Sequence, residues 1–372
     1  MSWTADAGVE YWLWYVAGSS VTTTTPGHLT KVKVASPYVL TGLTNGLTYA
    51  FAVNGRTGGG AGGPLSPSVT AVPRAAGSTW VAGTSMGTND IRGLTYGAAS
   101  DASLNFVAVG DVGVMFKSSD GAVWSALTSP SVANFNATLY ALSQFIAVGS
   151  PSGAGNVFRS TNLLSWTPAS TNPGSAQNLN ALATNGSRVV AVGDNGTIQS
   201  STDGLTWTTA TTVPTADHLY GVTYVASGLW LAVGANGTLL TSTDGLSWVT
   251  RASSTTNALR SVAGIAFSNT SGYLYVAVGL SGAVRTSPDG ITWTAQALGS
   301  AADLYAVNAS TIALPASNQF LVVGAGGAAY TSPDAVTWTA QNTGTTANLW
   351  SLYGSPALYF AAGSAGANIS SR

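Results

Sequence analysis

The chain has 372 residues, 45% of them hydrophobic and only 7% charged, with a net charge of −1 and no cysteine. An average globular protein carries roughly 25% charged residues, so this surface must be built from Ser, Thr, Asn, Gly and Ala. These figures exclude a disulfide framework and thiolate metal chemistry. They also exclude a basic phosphate-binding face, since only Lys31 and Lys33 lie close together, and a membrane-spanning helix, which needs about 18 uninterrupted apolar residues.

No nucleic-acid partner, no membrane insertion and no cofactor is therefore expected. So low a charge is usual in extracellular bacterial proteins and phage appendages, and argues against a crowded cytosol, where net charge maintains solubility. The expected location is extracellular, on a cell surface or on a virion.

Residues 1–74 carry alternating strand-like runs in SWTADAGVEYWLWYV, KVKVAS and SPYVLTGLTNGLTYAFAV, then the Gly-rich GRTGGGAGGP and a terminal Pro. The alternation predicts an antiparallel sandwich. The segment resembles a fibronectin type III domain, the matching residues being Trp3 in strand B, Tyr11 in strand C, Leu40, Leu43 and Tyr49, with LTGLTNGLTYAFAV as the E–F corner and Tyr49 as its tyrosine-corner residue. That resemblance implies a spacer or binding unit. Strand A and the first half of strand B are lacking, which predicts an exposed sheet edge. The expectation is that the natural chain continues upstream of Met1, or that a partner supplies the strand. Arg74–Gly77 reads as a linker.

From residue 75 to 372 the sequence repeats. VVAVGDNGTIQSSTDGLTWTTA, Val189 to Ala210, reads as three short strands separated by turns at Asp194-Asn195-Gly196 and Asp203-Gly204. Near copies follow one another along the chain. Trp80, Trp124, Trp166, Trp207, Trp248, Trp293 and Trp338 mark one series of seven. Gly110, Gly149, Gly193, Gly234, Gly279, Gly324 and Gly363, each ending a VAVG-type strand, mark a second. A period of some forty residues with four strands per repeat is the signature of a β-propeller. The two series are out of phase at the ends, because Trp80 has no VAVG strand before it and Gly363 has no Trp after it. Pairing AGSTWVAG with the C-terminal repeat completes a seventh blade and latches the termini. The expected fold is all-β: an incomplete fibronectin-type sandwich, then a seven-bladed propeller.

The element S-x-D-G-x-x-W occurs as SSDGAVW, STDGLTW, STDGLSW and SPDGITW, and in weaker form as SPDAVTW and STNLLSW. It resembles the Asp-box (BNR) repeat of sialidases and photosystem-assembly propellers, although the usual spacing has one more residue between Asp and Gly. Physically it needs no ligand. Asp120, Asp203, Asp244, Asp289 and Asp334, with Asn162 in their place once, can accept turn N–H groups. Glycine supplies a positive φ, and Trp packs between blades.

Sialidase chemistry, which the resemblance brings to mind, needs a glutamate beside a tyrosine nucleophile and three arginines. The sole glutamate, Glu10, lies in the first domain, and only Arg92 and Arg260 occupy equivalent inner positions. His28 and His218 lack any metal-ligand spacing, and the Gly-rich run has no Lys-Ser/Thr helix after it, so it is no phosphate loop. Asp194-Asn195-Gly196 reads as a hairpin turn, because its equivalents lose the acid.

The residue after the first Leu or Ile of each inner strand is Arg92, Tyr140, Asn180, Tyr220, Arg260, Tyr305 or Trp350. Asp90, Asn178, Asp217, His218, Asn257, Asp303 and Asn348 sit just before it. Inner strands of a propeller ring the channel, so these side chains are expected at one mouth. Aromatic faces stack on sugar C–H surfaces, while amides and carboxylates take hydroxyls. The alternative is that they pack between blades and merely solvate the mouth. The sequence therefore points to a non-enzymatic binding or adhesion module for a cell-surface glycan or protein. The other readings are a structural subunit contacting its neighbours in a filament or virion, and a glycan hydrolase using mouth aspartates.

Overall fold

The structure, a computed structural model, describes all residues except 1–2, 37, 39, 41–42, 44–46, 59, 73–76, 154, 173–175, 267–271, 314–315, 356–357 and 372. The chain divides into two compact units, Met1–Ala75 and Ala76–Arg372. Among the described residues every strand belongs to one of eight four-stranded antiparallel sheets, and there is no α-helix.

The first unit holds β1 (Glu10–Ala17), β2 (Leu29–Val34), β3 (Tyr49–Arg56) and β4 (Val69–Ala71) in the order β2-β1-β3-β4. β1 and β3 pair without a break from Glu10↔Arg56 to Ala17↔Tyr49. Side chains alternate across a strand, so Leu13 and Tyr15 pack on one face with Val34 and Phe51. Trp14 and Val16 pack on the other with Val21, Ala50 and Ala52. Tyr11, Leu40, Leu43 and Tyr49 join the Leu13 side. A second sheet, which a sandwich requires, is not found among the described residues. Trp3 lies in no strand, contrary to expectation. The hydroxyl of Ser36 satisfies its backbone instead, accepting from its N–H at 2.9 Å and donating to its carbonyl at 2.7 Å. Part of the expected tyrosine corner, Thr41, Gly42 and 44–46, lies outside the described residues.

The second unit begins with β5 (Val81–Ala82) and the sheet β6 (Ile91–Ala98), β7 (Leu104–Gly110), β8 (Met115–Ser118), β9 (Ser125–Ala126). Six more sheets follow, opened by Phe135–Ala141, Leu179–Thr184, Leu219–Val225, Leu259–Ala266, Leu304–Ala313 and Leu349–Ser355. The opening strands of successive sheets touch, and that of the last touches β6, so the order is closed. This arrangement is propeller-like. Its core lies between sheets. Val276, Val278 and Val284 pack on Phe320 and Val322 of the next sheet, and Val190, Val192 and Ile198 on Trp230 and Leu240.

The last sheet has only three strands from its own end of the chain. β5 is its fourth, with Ile369 opposite Ala82 and Ser370 opposite Val81. Around those two rungs the Gly77 N–H donates to Ser371 Oγ at 2.8 Å and Asn368 Nδ2 to the Thr84 carbonyl at 2.7 Å. Trp80 packs on Leu321, Leu352 and Tyr359.

The turn from third to fourth strand repeats one hydrogen-bond pattern. Asp203 Oδ1 accepts from the N–H groups of Leu205 and Thr206 at 2.8 Å and from Ser201 Oγ at 3.0 Å. Ser201 Oγ accepts from the Gly204 N–H at 2.8 Å, and Trp207 Nε1 donates to the Gly204 carbonyl at 3.3 Å. Gly204 has φ 72°, a region costly for residues with a Cβ. Leu163 and Ala335 adopt it without glycine, at φ 59° and 57°. Asp244 and Asp289 repeat the set of acceptances. In all three turns, hydrogen bonds from the backbone N–H groups hold the carboxyl below the usual range, that of the third residue on contributing most.

Trp207 is fully buried, so Trp207→Ala should cost about 3–5 kcal/mol, read as a shift in the denaturant midpoint. The aspartates give a pH dependence. A carboxyl whose folded pKa is depressed adds stability above its unfolded value, about 3.9 for Asp. That stability is lost as the pH falls through the folded value. The parent should lose stability between about pH 5 and pH 2. A variant with Asp203→Asn, Asp244→Asn and Asp289→Asn should lose less over the same range, in urea unfolding followed by tryptophan fluorescence.

Candidate functional site

In every sheet of the second unit the opening residue faces the glycine that ends the second strand. The pairs are Ile91↔Gly110, Phe135↔Gly149, Leu179↔Gly193, Leu219↔Gly234, Leu259↔Gly279, Leu304↔Gly324 and Leu349↔Gly363. The glycine is required by close approach: a Cβ on Gly193 would stand 1.9 Å from the Asn178 carbonyl oxygen. Immediately after the opener the register slips, and the second residue has no cross-strand partner. A bulge of this kind re-aims a side chain. The openers are buried, and the bulged residues are half-buried.

Those bulged residues are Arg92, Asn136, Asn180, Tyr220, Arg260, Tyr305 and Trp350. All seven line one cavity of about 490 Å³, together with Asp194, Leu280 and Asp303. Six of them were expected at this mouth from the sequence. Tyr140 was expected and is not there. It lies near the far end of its strand, opposite Phe145 beside the tight turn at Leu142 and Ser143, with its N–H on Thr95 Oγ1 at 2.9 Å. Register, not the local LYAL pattern, decides the position. Phe135 is the residue opposite Gly149, so Asn136 takes the place assigned to Tyr140. Asp194, Leu280 and Asp303 were not singled out as mouth residues in that series, or only as flanks. The missed signal is the position just after the strand-ending glycine, which varies from Asp111 and Asp194 to Leu280 and Ala325.

The polar groups at the mouth are strongly interconnected. Arg92 donates to Asp111 through Nε at 3.0 Å and Nη2 at 2.8 Å, and to Asp90 at 3.3 Å. The hydrogen bonds to Asp111 raise the pKa of its guanidinium, against the opposing effect of burial. The same guanidinium stands 5.0 Å from the Trp350 ring, and Trp350 lies 4.3 Å from Tyr305. Burial, with the charge of Asp303, pushes the Tyr305 hydroxyl up. Across the cavity Asn136 Nδ2 donates to the Leu179 carbonyl at 3.0 Å. Asn180 Nδ2 donates to Asp194 at 2.9 Å and to the Leu219 carbonyl at 3.0 Å. Asp194 also accepts from Asn178 at 2.7 Å and lies 3.1 Å from His218 Nδ1. Partial burial works to raise the Asp194 carboxyl, but the bonds from Asn180 and Asn178 and the nearby His218 outweigh it, and it is held low.

The residues before the inner strands serve mainly as joints between sheets. Asp90, Asn134, Asp303 and Asn348 each accept a backbone N–H from the preceding sheet's turn, from Ala365, Val112, Ser281 and Gly326 at 2.8–3.1 Å. Asp217 is engaged within its own sheet by Asn236 and Thr238. Asn257 accepts no such bond among the described residues, and its own N–H donates to Thr255 Oγ1 at 3.0 Å. Among the described residues no three of His, Asp or Glu are grouped so as to hold a metal ion. The mouth can therefore offer stacking faces, fixed acceptors and amides, and two guanidinium groups.

The Asn180–Asp194 pair crosses two elements of one sheet. Asn180→Ala and Asp194→Ala together should show a coupling of about 1–2 kcal/mol in a double-mutant cycle of urea unfolding. Additive effects would mean that the contact adds nothing to stability.

A family model described as the DUF6242 beta propeller domain matches residues 143–258. No curated protein matches the chain. Among solved structures, YCF48 from Cyanidioschyzon merolae is similar with a TM-score of 0.61 and 16% identity, over 79% of this chain and 99% of that one. YCF48 bound to D1 peptide gives 0.60 and 16%, over 79% and 94%. Virginiamycin B lyase from Staphylococcus aureus gives 0.62 and 10%, over 79% and 97%. At these identities the likeness is one of fold, and with the sheet order it establishes a β-propeller domain.

Proposed function

We propose that this chain is a non-enzymatic binding module of an extracellular bacterial surface or phage appendage, and that its ligand is a carbohydrate seated at the bulged mouth. One observation carries the reading: seven bulges turn seven side chains into a single cavity, and those side chains mix aromatic rings with amides and charges. The Tyr305–Trp350 pair offers a stacking face, while Asn136, Asn180 and Asp194 offer hydroxyl partners. The mouth carboxylates are each committed to protein donors, which favours recognition over acid–base work. The low charge and absent cysteines favour an extracellular setting.

The same proposal takes the seven closed sheets as the blades of a seven-bladed ring, and their Ser-x-Asp turns as relatives of the Asp-box. It takes the first unit as a fibronectin type III module. Its β1-β3-β4 order matches the C-F-G run of such sandwiches, with Tyr11 in the strand read as C. A second reading, a peptide ligand at the same mouth, is favoured by the similarity to YCF48, one structure of which is bound to D1 peptide.

A glycan-array screen of the intact chain, followed by calorimetry on any hit, tests the carbohydrate reading. Trp350→Ala and Tyr220→Ala should each weaken binding by roughly 2- to 12-fold, the 0.5–1.5 kcal/mol of a stacked ring. Tyr140→Ala should leave it unchanged. Unaltered affinity in both mouth variants would remove the site.

A further inference from the structure

The two arginines of the mouth are not alike. Arg92 is neutralised by Asp111 and Asp90. Arg260 has no carboxylate within ion-pair reach among the described residues, and its Nε is buried with no hydrogen-bond partner. Its guanidinium lies 4.1 Å from the Tyr220 ring centroid, stacked on a neighbouring sheet's bulged residue. A half-buried cation held over an aromatic face gains some stabilisation from the ring quadrupole. It still lacks the counter-charge that withdrawal from water calls for. With Nε enclosed, Nη1 and Nη2 are the donors left for the cavity, and together they form the fork that fits a carboxylate end-on.

We propose that the mouth recognises a carboxylate, gripped by Nη1 and Nη2 of Arg260. This rests on ligand binding at the mouth as read above, and adds the charge of the ligand. Two neighbours restrict that charge. Asp303 and Asp194 line the same cavity, so a single negative charge is accepted at Arg260 while a doubly charged phosphate is repelled. The rest of the ligand must present hydroxyl or N–H donors toward those two aspartates and an apolar face toward Tyr305 and Trp350. A uronic acid meets these conditions, and so does the C-terminal carboxylate of a peptide.

Calorimetry on the full chain at low salt distinguishes them with two matched pairs. The first is tri-galacturonate and its methyl ester, and the second an acetylated tri-alanine with a free or an amidated C-terminus. At least one acid should bind about tenfold or more tighter than its neutral partner, the scale of one charge-assisted hydrogen bond. Arg260→Gln should erase the difference, and Arg260→Lys should keep part of it, with thermal unfolding by tryptophan fluorescence verifying both folds. Preference for the sugar acid supports the carboxylate and the carbohydrate together. Preference for the peptide acid alone supports the carboxylate and overturns the carbohydrate. Equal, measurable binding of tri-galacturonate and its ester, with no preference within the peptide pair, overturns the carboxylate and leaves the carbohydrate standing. A preference that survives Arg260→Gln overturns the assignment of the carboxylate to Arg260. No binding of any probe overturns the proposal. Should Arg260→Gln fail to fold, the acid-to-neutral ratios of the parent and of Arg260→Lys decide.

Discussion

Ile369 lies opposite Ala82 and Ser370 opposite Val81. Two rungs of ladder are little by themselves, yet the rest of the second unit leans on them. Its sheets bury their apolar faces only against one another, so each interface needs a sheet on both sides. Without β5 the last sheet would expose the edge of Asn368–Ser371 and uncover Ile369 and Tyr359, now buried beneath Trp80. Closing the order removes that edge and ties two segments nearly three hundred residues apart in sequence.

A closed order also sets the geometry of the mouth. Each opener sits against a glycine with no room for a Cβ, which fixes where the bulge falls. The bulge then fixes which residue turns into the cavity. Before four of the inner strands a carboxylate or amide, on Asp90, Asn134, Asp303 or Asn348, reaches back to the preceding sheet's turn, so groups that frame the mouth also fasten the sheets. The lining of the cavity and the fastening of the sheets thus share residues at the rim. Asp303 accepts the Ser281 N–H and lines the cavity, and Asp194 orients two asparagines while lining the same cavity.

The turn side behaves differently. Its aspartates spend their acceptor capacity on local N–H groups and its tryptophans fill the gaps between sheets. The two ends of one repeat have therefore diverged in what they tolerate. One keeps Ser, Asp and Trp nearly constant. The other admits Arg, Asn, Tyr and Trp, because a half-buried side chain that lines a cavity is freer of the volume limits of a core.

Much of this was legible in the chain. The spacing of Trp80 to Trp338 and of Gly110 to Gly363 determined repeats, strands and closure, because period and turn chemistry are local properties and the phase mismatch had one economical solution. Six of the seven mouth residues followed from the same phase. Tyr140 did not, since LYAL mimics an opening strand, and only pairing with Gly149 shows that Phe135 opens that sheet. Among the described residues, the one sheet and the strandless Trp3 of the first unit, the pairing of Asp194 with Asn178 and Asn180, and the lack of a carboxylate within ion-pair reach of Arg260 were likewise out of reach. Register and charge pairing depend on which residues meet across strands and between sheets. A one-dimensional pattern bounds those meetings, and only the folded ring decides them.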